Sequence, residues 1–133
     1  MTSTVHYQGN LRTRCEHQQS GNAFITDAPT DNNGKGEAFS PTDTVATALA
    51  SCMFTIMGIK ANQMQIDLAD SRAEVTKVMT TDPRRIAKIE ITFDMCGTFD
   101  TKTRQILENA AKTCPVWYSL HPDIEKQIVF RWK

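Results

Sequence analysis

The chain has 133 residues, and its 15 basic and 15 acidic side chains give a formal net charge of zero. This length supports one domain, residues 1–133, with a substantial core. The balanced charge gives no electrostatic reason to expect a nucleic acid or an anionic membrane as a partner. The first ten residues contain no apolar signal segment, so we expect a cytoplasmic protein. Four cysteines are too few for a small secreted disulfide framework, and we expect them to be thiols.

Strands are predicted before the first helix. Alternation in residues 4–14 predicts a strand with Val5, Tyr7 and Leu11 on one face and a bulge at Gly9. Residues 23–26 predict a second short strand, so the chain should open with a β-hairpin. Residues 27–39 are rich in Pro, Asn, Asp and Gly and form a loop. A loop of this length can be functional or a plain connector, and composition does not decide.

A long apolar helix is predicted over residues 40–63. Ser40 suits the N-cap, Pro41 suits the first helical position, and Asp43 completes a capping box. Its large apolar residues cover nearly the whole circumference: Val45, Leu49, Met53, Phe54, Ile56, Met57 and Ile59. A helix that is apolar on all sides is a buried helix. We therefore expect the central helix of a soluble fold, with Cys52 near its middle.

The second half alternates strands and helices. Strands are expected over residues 73–79, 85–95 and 127–132, and the middle one has the clearest alternation. Asp100 caps a helix over 101–113, and a further helical turn follows Pro115. The order is β-β-α-β-β-α-β, an α+β domain with mostly antiparallel strands. One small sheet covers only one side of the central helix, so we predict a homodimer in which this helix packs against its symmetry mate.

Two cysteines are candidates for chemistry. Cys52 lies among apolar helix neighbours and is either an inert packing residue or a reactive thiol. Cys114 precedes Pro115, and a helix N-terminus favours thiolate, although packing on the preceding helix is the alternative. If the two meet in the core they can form a disulfide, and a reactive thiol beside a resolving thiol suffices for peroxide reduction.

Other chemical sites have little support. Cys15 and His17 would share a face of a strand, but a zinc site needs two more ligands and no C-x-x-C or H-x-x-x-H pattern supplies them. Cys96, before Gly97, is expected to be structural. The sequence contains no Gly-rich phosphate loop and no G-x-S-x-G motif.

Two motifs resemble those of the OsmC/Ohr family (osmotically inducible protein C and organic hydroperoxide resistance). They are SPTDTVATALASC at residues 40–52 and AAKTCPV at residues 110–116. The resemblance implies an intertwined homodimer with sheets wrapped around two central helices and two active sites at the interface. It implies a cysteine-based peroxidase for organic hydroperoxides, with Cys52 as the peroxidatic residue and Cys114 as the resolving residue. It further implies a dithiol reductant and no metal or organic cofactor.

The resemblance is to the OsmC-like branch more than to Ohr. Asp43 is nearest to the family's acidic residue, but it is displaced by one position from the Ohr motif, where Thr42 would align. Nine residues of helix span about 13.5 Å, so Asp43 would approach a cysteine only on a partner chain; its alternative role is helix capping. The Ohr branch places an arginine in the loop before the helix, whereas Lys35 is the only Lys or Arg in residues 27–39.

Two other functions remain open. The protein could be a non-catalytic dimer that binds a small apolar or electrophilic ligand in an interface pocket, or a purely structural dimer. The candidate pocket walls, which are also ordinary core candidates, are Met53, Phe54, Met57, Trp117 and Tyr118.

Overall fold

The structure is a computed structural model that describes residues 1–133. It divides into two compact units, Met1–Val45 and Ala46–Lys133. We describe each unit by itself. Each contains one three-stranded sheet, and together with the helices this confirms the α+β class.

The sheet of the first unit has three strands in the order β1-β2-β3. They are β1 (Ser3–Gly9), β2 (Arg12–His17) and β3 (Ala23–Asp27), and both pairings are antiparallel. The sequence analysis expected two strands here, and the single strand predicted over residues 4–14 was wrong. That segment folds back on itself as a hairpin.

The hairpin turn between β1 and β2 explains this error. Asn10 and Leu11 both have left-handed backbone conformations, with φ values of 54° and 63°. Leu11 therefore leaves the strand and does not share a face with Val5, contrary to the expectation. The predicted irregularity at Gly9 is confirmed, because the strand register shifts there. A Gly-Asn dipeptide is a turn signal, and it marks where the strand should have been divided.

The loop before the long helix is folded tightly against itself. It contains a short 3-10 helix, Thr30–Asn32. The backbone N–H of Gly36 donates to the Ala28 carbonyl at 3.1 Å, so the loop ends approach each other closely. A Cβ atom at Gly34 would lie 1.7 Å from the Ala28 carbonyl oxygen, and only glycine fits this approach.

Helix α1 (Pro41–Gln63) starts where the sequence predicted. The backbone N–H of Ser40 donates to Asp43 Oδ2 at 2.9 Å, and the backbone N–H of Asp43 donates to Ser40 Oγ at 3.0 Å. This reciprocal pair is the predicted capping box. The helix has 23 residues and contains an 18-residue window with a mean hydropathy of 1.5, so by length and composition it could also cross a membrane. Core helices of soluble proteins pass the same test.

The long helix buries one stripe of its surface and exposes the rest. Its buried residues recur at helical spacing: Ala46, Leu49, Ala50, Met53, Met57 and Ala61. Val45 and Ile59, which were expected to be buried, are 37% and 51% exposed. A single chain therefore covers only part of this apolar helix.

The sheet of the second unit has the order β4-β5-β6. Its strands are β4 (Arg72–Thr80), β5 (Arg85–Met95) and β6 (Glu125–Trp132). β4 and β5 pair antiparallel, whereas β5 and β6 pair parallel. A parallel pair needs a long crossover, and here the connection contains two helices.

These two helices and one face of β5 complete the core. Helix α2 (Thr101–Ala111) is capped by Asp100, which accepts the Thr103 N–H at 2.8 Å, and α3 (Pro115–Ser119) follows it. The predicted alternation of β5 is confirmed from Ile89 onward: Ile89, Ile91, Phe93 and Met95 are buried. At the start of the strand the alternation predicts an inward Ala87, but Ala87 is half-buried and Ile86 is buried. A register shift lies opposite, between Val78 and Met79.

Candidate functional site

Cys52 lies in the middle of α1, at the edge of its buried stripe. Its side chain is half-buried and packs against the core of the second unit. A continuous helix on both sides fixes its backbone. The residue is therefore neither sealed in the interior nor freely exposed, which suits a thiol that must meet a ligand.

Cys114 occupies the N-cap of α3. Its side chain is fully buried, and its Sγ accepts a hydrogen bond from the backbone N–H of Trp117 at 3.3 Å. Pro115 follows at the first helical position. The predicted location of this cysteine at a helix N-terminus is confirmed.

The fold brings Cys52 and Cys114 together. Cys114 belongs to the buried core against which the Cys52 side chain packs, and Cys52 is near enough to act on the ionisation of Cys114. Both residues are free thiols. They are contributed by different elements, the middle of α1 and the junction of α2 and α3. The sequence did not decide whether the two cysteines lie close together, and in the structure they do.

Burial controls the ionisation of Cys114. It raises the pKa of the thiol above the ordinary value of 9.0, while the backbone N–H groups of Trp117 and Val116 act in the opposite direction. The nearby Cys52 raises the pKa further. The N–H groups at the helix N-terminus lower the pKa, as the sequence predicted, but desolvation outweighs them and the net shift is upward.

Asp43 has a defined structural role in the chain. Its carboxylate accepts the Ser40 N–H, as described for the capping box. The capping interpretation is confirmed, and a catalytic role toward a partner chain stays a prediction.

Three cations in or near the loop before the long helix, Arg12, Arg14 and Lys35, belong to the first unit. Arg12 binds Asp27 through two hydrogen bonds of 2.7 Å and reaches Glu37 at 2.9 Å. This ion pair holds the pKa of the buried Asp27 carboxyl below its usual range. Arg14 pairs with Glu16, and Lys35 is exposed. Arg12 is therefore strongly engaged by carboxylates, which the sequence did not indicate.

The remaining cysteines lie elsewhere. Cys15 is half-buried in β2, with its Sγ 3.8 Å from Thr13 Oγ1. Cys96 is half-buried after β5, and its backbone N–H donates to Ser71 Oγ at 2.8 Å. No three His, Cys, Asp or Glu side chains in residues 1–133 are grouped to hold a metal ion.

The predicted pocket walls divide into core and surface. Met53 and Met57 are fully buried, and Phe54 packs edge-on against Phe93 with ring centroids 4.8 Å apart. Tyr118 is 71% exposed. These four are therefore ordinary core or surface residues in the single chain. Trp117 contributes its backbone N–H to the cysteine site, a contact that the side-chain pattern of the sequence did not signal.

An open groove of about 490 Å³ lies between α1 and α2. Neither Cys52 nor Cys114 lines it, although Ile56 is one helical turn after Cys52 and Thr113 directly precedes Cys114 in the chain. Its lining is mainly apolar with a polar rim: Ile56, Ile59, Lys60, Gln63, Ile106, Asn109, Ala110 and Thr113. The groove is large enough for a small organic molecule.

The chain matches the family model described as OsmC-like protein over residues 34–128. It is also similar to a solved structure from Psychrobacter arcticus 273-4, named as a candidate osmotic stress induced and detoxification response protein. The two sequences are 56% identical, the match covers 98% of this chain and 96% of that one, and the TM-score is 0.96.

More distant structures share the fold. An organic hydroperoxide resistance protein OsmC from Legionella pneumophila is 18% identical over 96% of this chain and 93% of its own, with a TM-score of 0.72. The organic hydroperoxide resistance protein OhrB of Bacillus subtilis is 17% identical over 98% of both chains, with a TM-score of 0.69. A comparison with curated proteins finds no match.

Proposed function

The chain belongs to the OsmC-like protein family, and from this we propose that it is a thiol-dependent peroxidase that reduces organic hydroperoxides. The observation that supports the proposal most directly is the proximity of two free thiols: Cys52 packs against the core of the second unit, to which Cys114 belongs, and acts on the ionisation of Cys114. A reactive cysteine beside a resolving cysteine is the minimal equipment for this reaction.

In the first step Cys52 acts as the nucleophile. Its thiolate attacks the terminal oxygen of the hydroperoxide, the O–O bond breaks, and the alkoxide leaves and takes a proton to become the alcohol. The sulfur is oxidised to a sulfenic acid and the peroxide is reduced. Cys52 suits this role because its side chain is only half-buried, whereas Cys114 is sealed from solvent.

The choice of nucleophile also follows from electrostatics. Two adjacent thiols resist carrying two negative charges at once, and burial raises the pKa of Cys114. Burial therefore disfavours a thiolate at Cys114, which suits the resolving role better than the attacking role.

In the second step Cys114 resolves the sulfenic acid. Its sulfur attacks Cys52 Sγ, the S–O bond breaks, water leaves and a disulfide forms. A dithiol reductant then exchanges with this disulfide, regenerates both thiols and is itself oxidised. No metal or organic cofactor enters the scheme. We place the protein in the cytoplasm, where reduced thiols persist.

We further propose that the working form is a homodimer. Large apolar side chains are exposed on the long helix and on the first sheet, including Ile59 at 51%, Val5 at 64% and Tyr7 at 60%. Surfaces of this kind mark interaction sites in soluble proteins. Sedimentation equilibrium should give twice the chain mass, and a single-chain mass at micromolar concentration would contradict the proposal.

A second candidate function is supported by the groove between α1 and α2. A non-catalytic dimer would use this mainly apolar groove to bind a small apolar or electrophilic ligand. Such binding should persist in the C52S variant. Saturable binding of an apolar fluorophore together with no peroxide consumption would favour this function over the peroxidase.

The test of the peroxidase is hydroperoxide consumption with a dithiol as reductant. C52S should lose turnover entirely. C114S should lose steady-state turnover when the assay contains a limiting concentration of the dithiol. C96S should retain the wild-type rate. Cys96 is a matched control because it is half-buried and lies outside the pair of Cys52 and Cys114. Full activity in C52S would exclude the mechanism.

A further inference from the structure

We propose that oxidation of Cys52 and Cys114 to a disulfide releases the N-terminus of α3, so that this helix is ordered in the reduced protein and opened in the oxidised one. The inference rests on the proposed function for its physiological oxidant, a hydroperoxide. Its geometry depends only on the position of Cys114, which is at once a member of the thiol pair and the cap of α3.

Helix α3 is held by partial packing and by its caps. None of its five residues is fully buried, although Val116 and Trp117 pack against the core and Lys126 Nζ lies over the Trp117 ring. At its start the Trp117 N–H donates to Cys114 Sγ at 3.3 Å and the Tyr118 N–H donates to the Cys114 carbonyl at 3.3 Å. At its end the Leu120 N–H donates to the Val116 carbonyl at 3.1 Å. A helix this short is marginal without capping, so loss of the cap should loosen its first turn.

Disulfide formation must move one sulfur, and the structure indicates which one. Bonded sulfurs are about 2 Å apart, much closer than two thiols in contact. Cys52 is held within the 23 residues of α1. Cys114 has an extended backbone, with φ −73° and ψ 146°, between two helices. We therefore expect Cys114 to move when the disulfide forms. This movement takes its Sγ away from the Trp117 N–H.

The capping sulfur is a neutral thiol, because burial raises the pKa of Cys114, and a thiol sulfur is a weak acceptor. A displacement of Sγ is therefore enough to break its bond with the Trp117 N–H. The sulfenic acid and the thiol give a disulfide and water, and the cap loses its acceptor. When a dithiol reduces the disulfide, both thiols and the cap return. The cap thus stabilises the reduced state and favours re-reduction by the dithiol.

Hydrogen exchange at the Trp117 amide measures the cap directly. We would compare the reduced protein, the protein oxidised with one equivalent of cumene hydroperoxide, and the protein oxidised with diamide. Exchange at this amide should be about fivefold faster in the disulfide form, which is the value of a typical N-cap. C114A should show the same acceleration without any oxidant.

The C114S and C52S variants are the controls. A serine hydroxyl at residue 114 can still cap α3 but cannot form a disulfide, so C114S should exchange slowly with and without oxidant. C52S should behave likewise. Unchanged exchange in the disulfide form, or acceleration by oxidant in C114S, would overturn the inference, and this holds even if C114A fails to fold. A disulfide that forms with diamide but not with hydroperoxide, and that accelerates exchange, would contradict the proposed function and support the inference.

Discussion

Cys114 Sγ accepts a hydrogen bond from the backbone N–H of Trp117 at 3.3 Å, and the Cys52 side chain packs against the same core, near enough to raise the pKa of Cys114. Cys52 is half-buried, whereas Cys114 is fully buried. In the proposed mechanism the half-buried thiol meets the substrate and the buried thiol resolves the intermediate.

The first prediction concerns the intermediate. In C114S the sulfenic acid at Cys52 has no resolving thiol, so it should persist long enough to be trapped with dimedone, at close to one adduct per chain. Peptide mapping locates the adduct. In the wild type the same treatment should give little adduct, because Cys114 closes the disulfide first. An adduct at Cys15 or Cys96 instead would contradict the assignment of the nucleophile.

The second prediction concerns alkaline stability. Burial raises the pKa of Cys114 in the folded protein, so on raising the pH the unfolded chain loses this proton first. The contribution of the protonated Cys114 thiol to the free energy of unfolding is therefore complete below the pKa of the unfolded chain, near 9.0. It is lost as the pH rises through the higher pKa of the folded protein. Urea unfolding of the reduced protein from pH 7 to 10.5 should show a steeper loss in the wild type than in C114S. Parallel profiles would show that Cys114 does not titrate as described.

The third prediction tests the capping box of α1. S40A removes the Oγ that accepts the Asp43 N–H, and it should lower the free energy of unfolding by about 1 kcal/mol. S40T should recover most of this loss because threonine also caps helices. S51A is the control, since Ser51 lies on an exposed part of the same helix and should change the stability by less than about 0.5 kcal/mol. An equal effect of S40A and S51A would show that the Ser40 cap does not stabilise α1.

The fourth prediction compares two arginines on β2. R12A leaves the buried Asp27 carboxylate without its two bonds of 2.7 Å, and it should lower the urea midpoint markedly. R14A removes an exposed pair with Glu16 and should leave the midpoint nearly unchanged. Equal midpoints for the two variants would show that the Asp27 ion pair does not stabilise the first unit.

Local signals in the sequence predicted the elements that depend on local chemistry. The capping box of Ser40 and Asp43 fixed the start of α1, and the alternation from Ile89 to Met95 fixed the inner face of β5. The hairpin at Asn10 and Leu11 was missed because Leu11 adopts a left-handed conformation that leucine rarely takes. A period-2 pattern continued through that turn and concealed it.

Tertiary arrangement set the features that the sequence could not show. The parallel pairing of β5 and β6 depends on the path of the connection that contains α2 and α3. The sequence predicted mostly antiparallel strands because that prediction assumed hairpin connections. The pKa of Cys114 depends on a balance between burial and two backbone N–H groups, and burial depends on the whole core. The tertiary fold brings Cys52 and Cys114 together. The helical periodicity of the sequence allowed this proximity without requiring it.

The central claim is that Cys52 and Cys114 form a redox couple, and intact mass tests it most directly. Reduced protein is treated with one equivalent of an organic hydroperoxide, alongside C52S and C114S. We predict that the wild type loses two hydrogens while neither variant does. An unchanged mass, or slow oxygen addition scattered over Cys15, Cys96 and the methionines, would show that the fold holds two adjacent thiols without this chemistry.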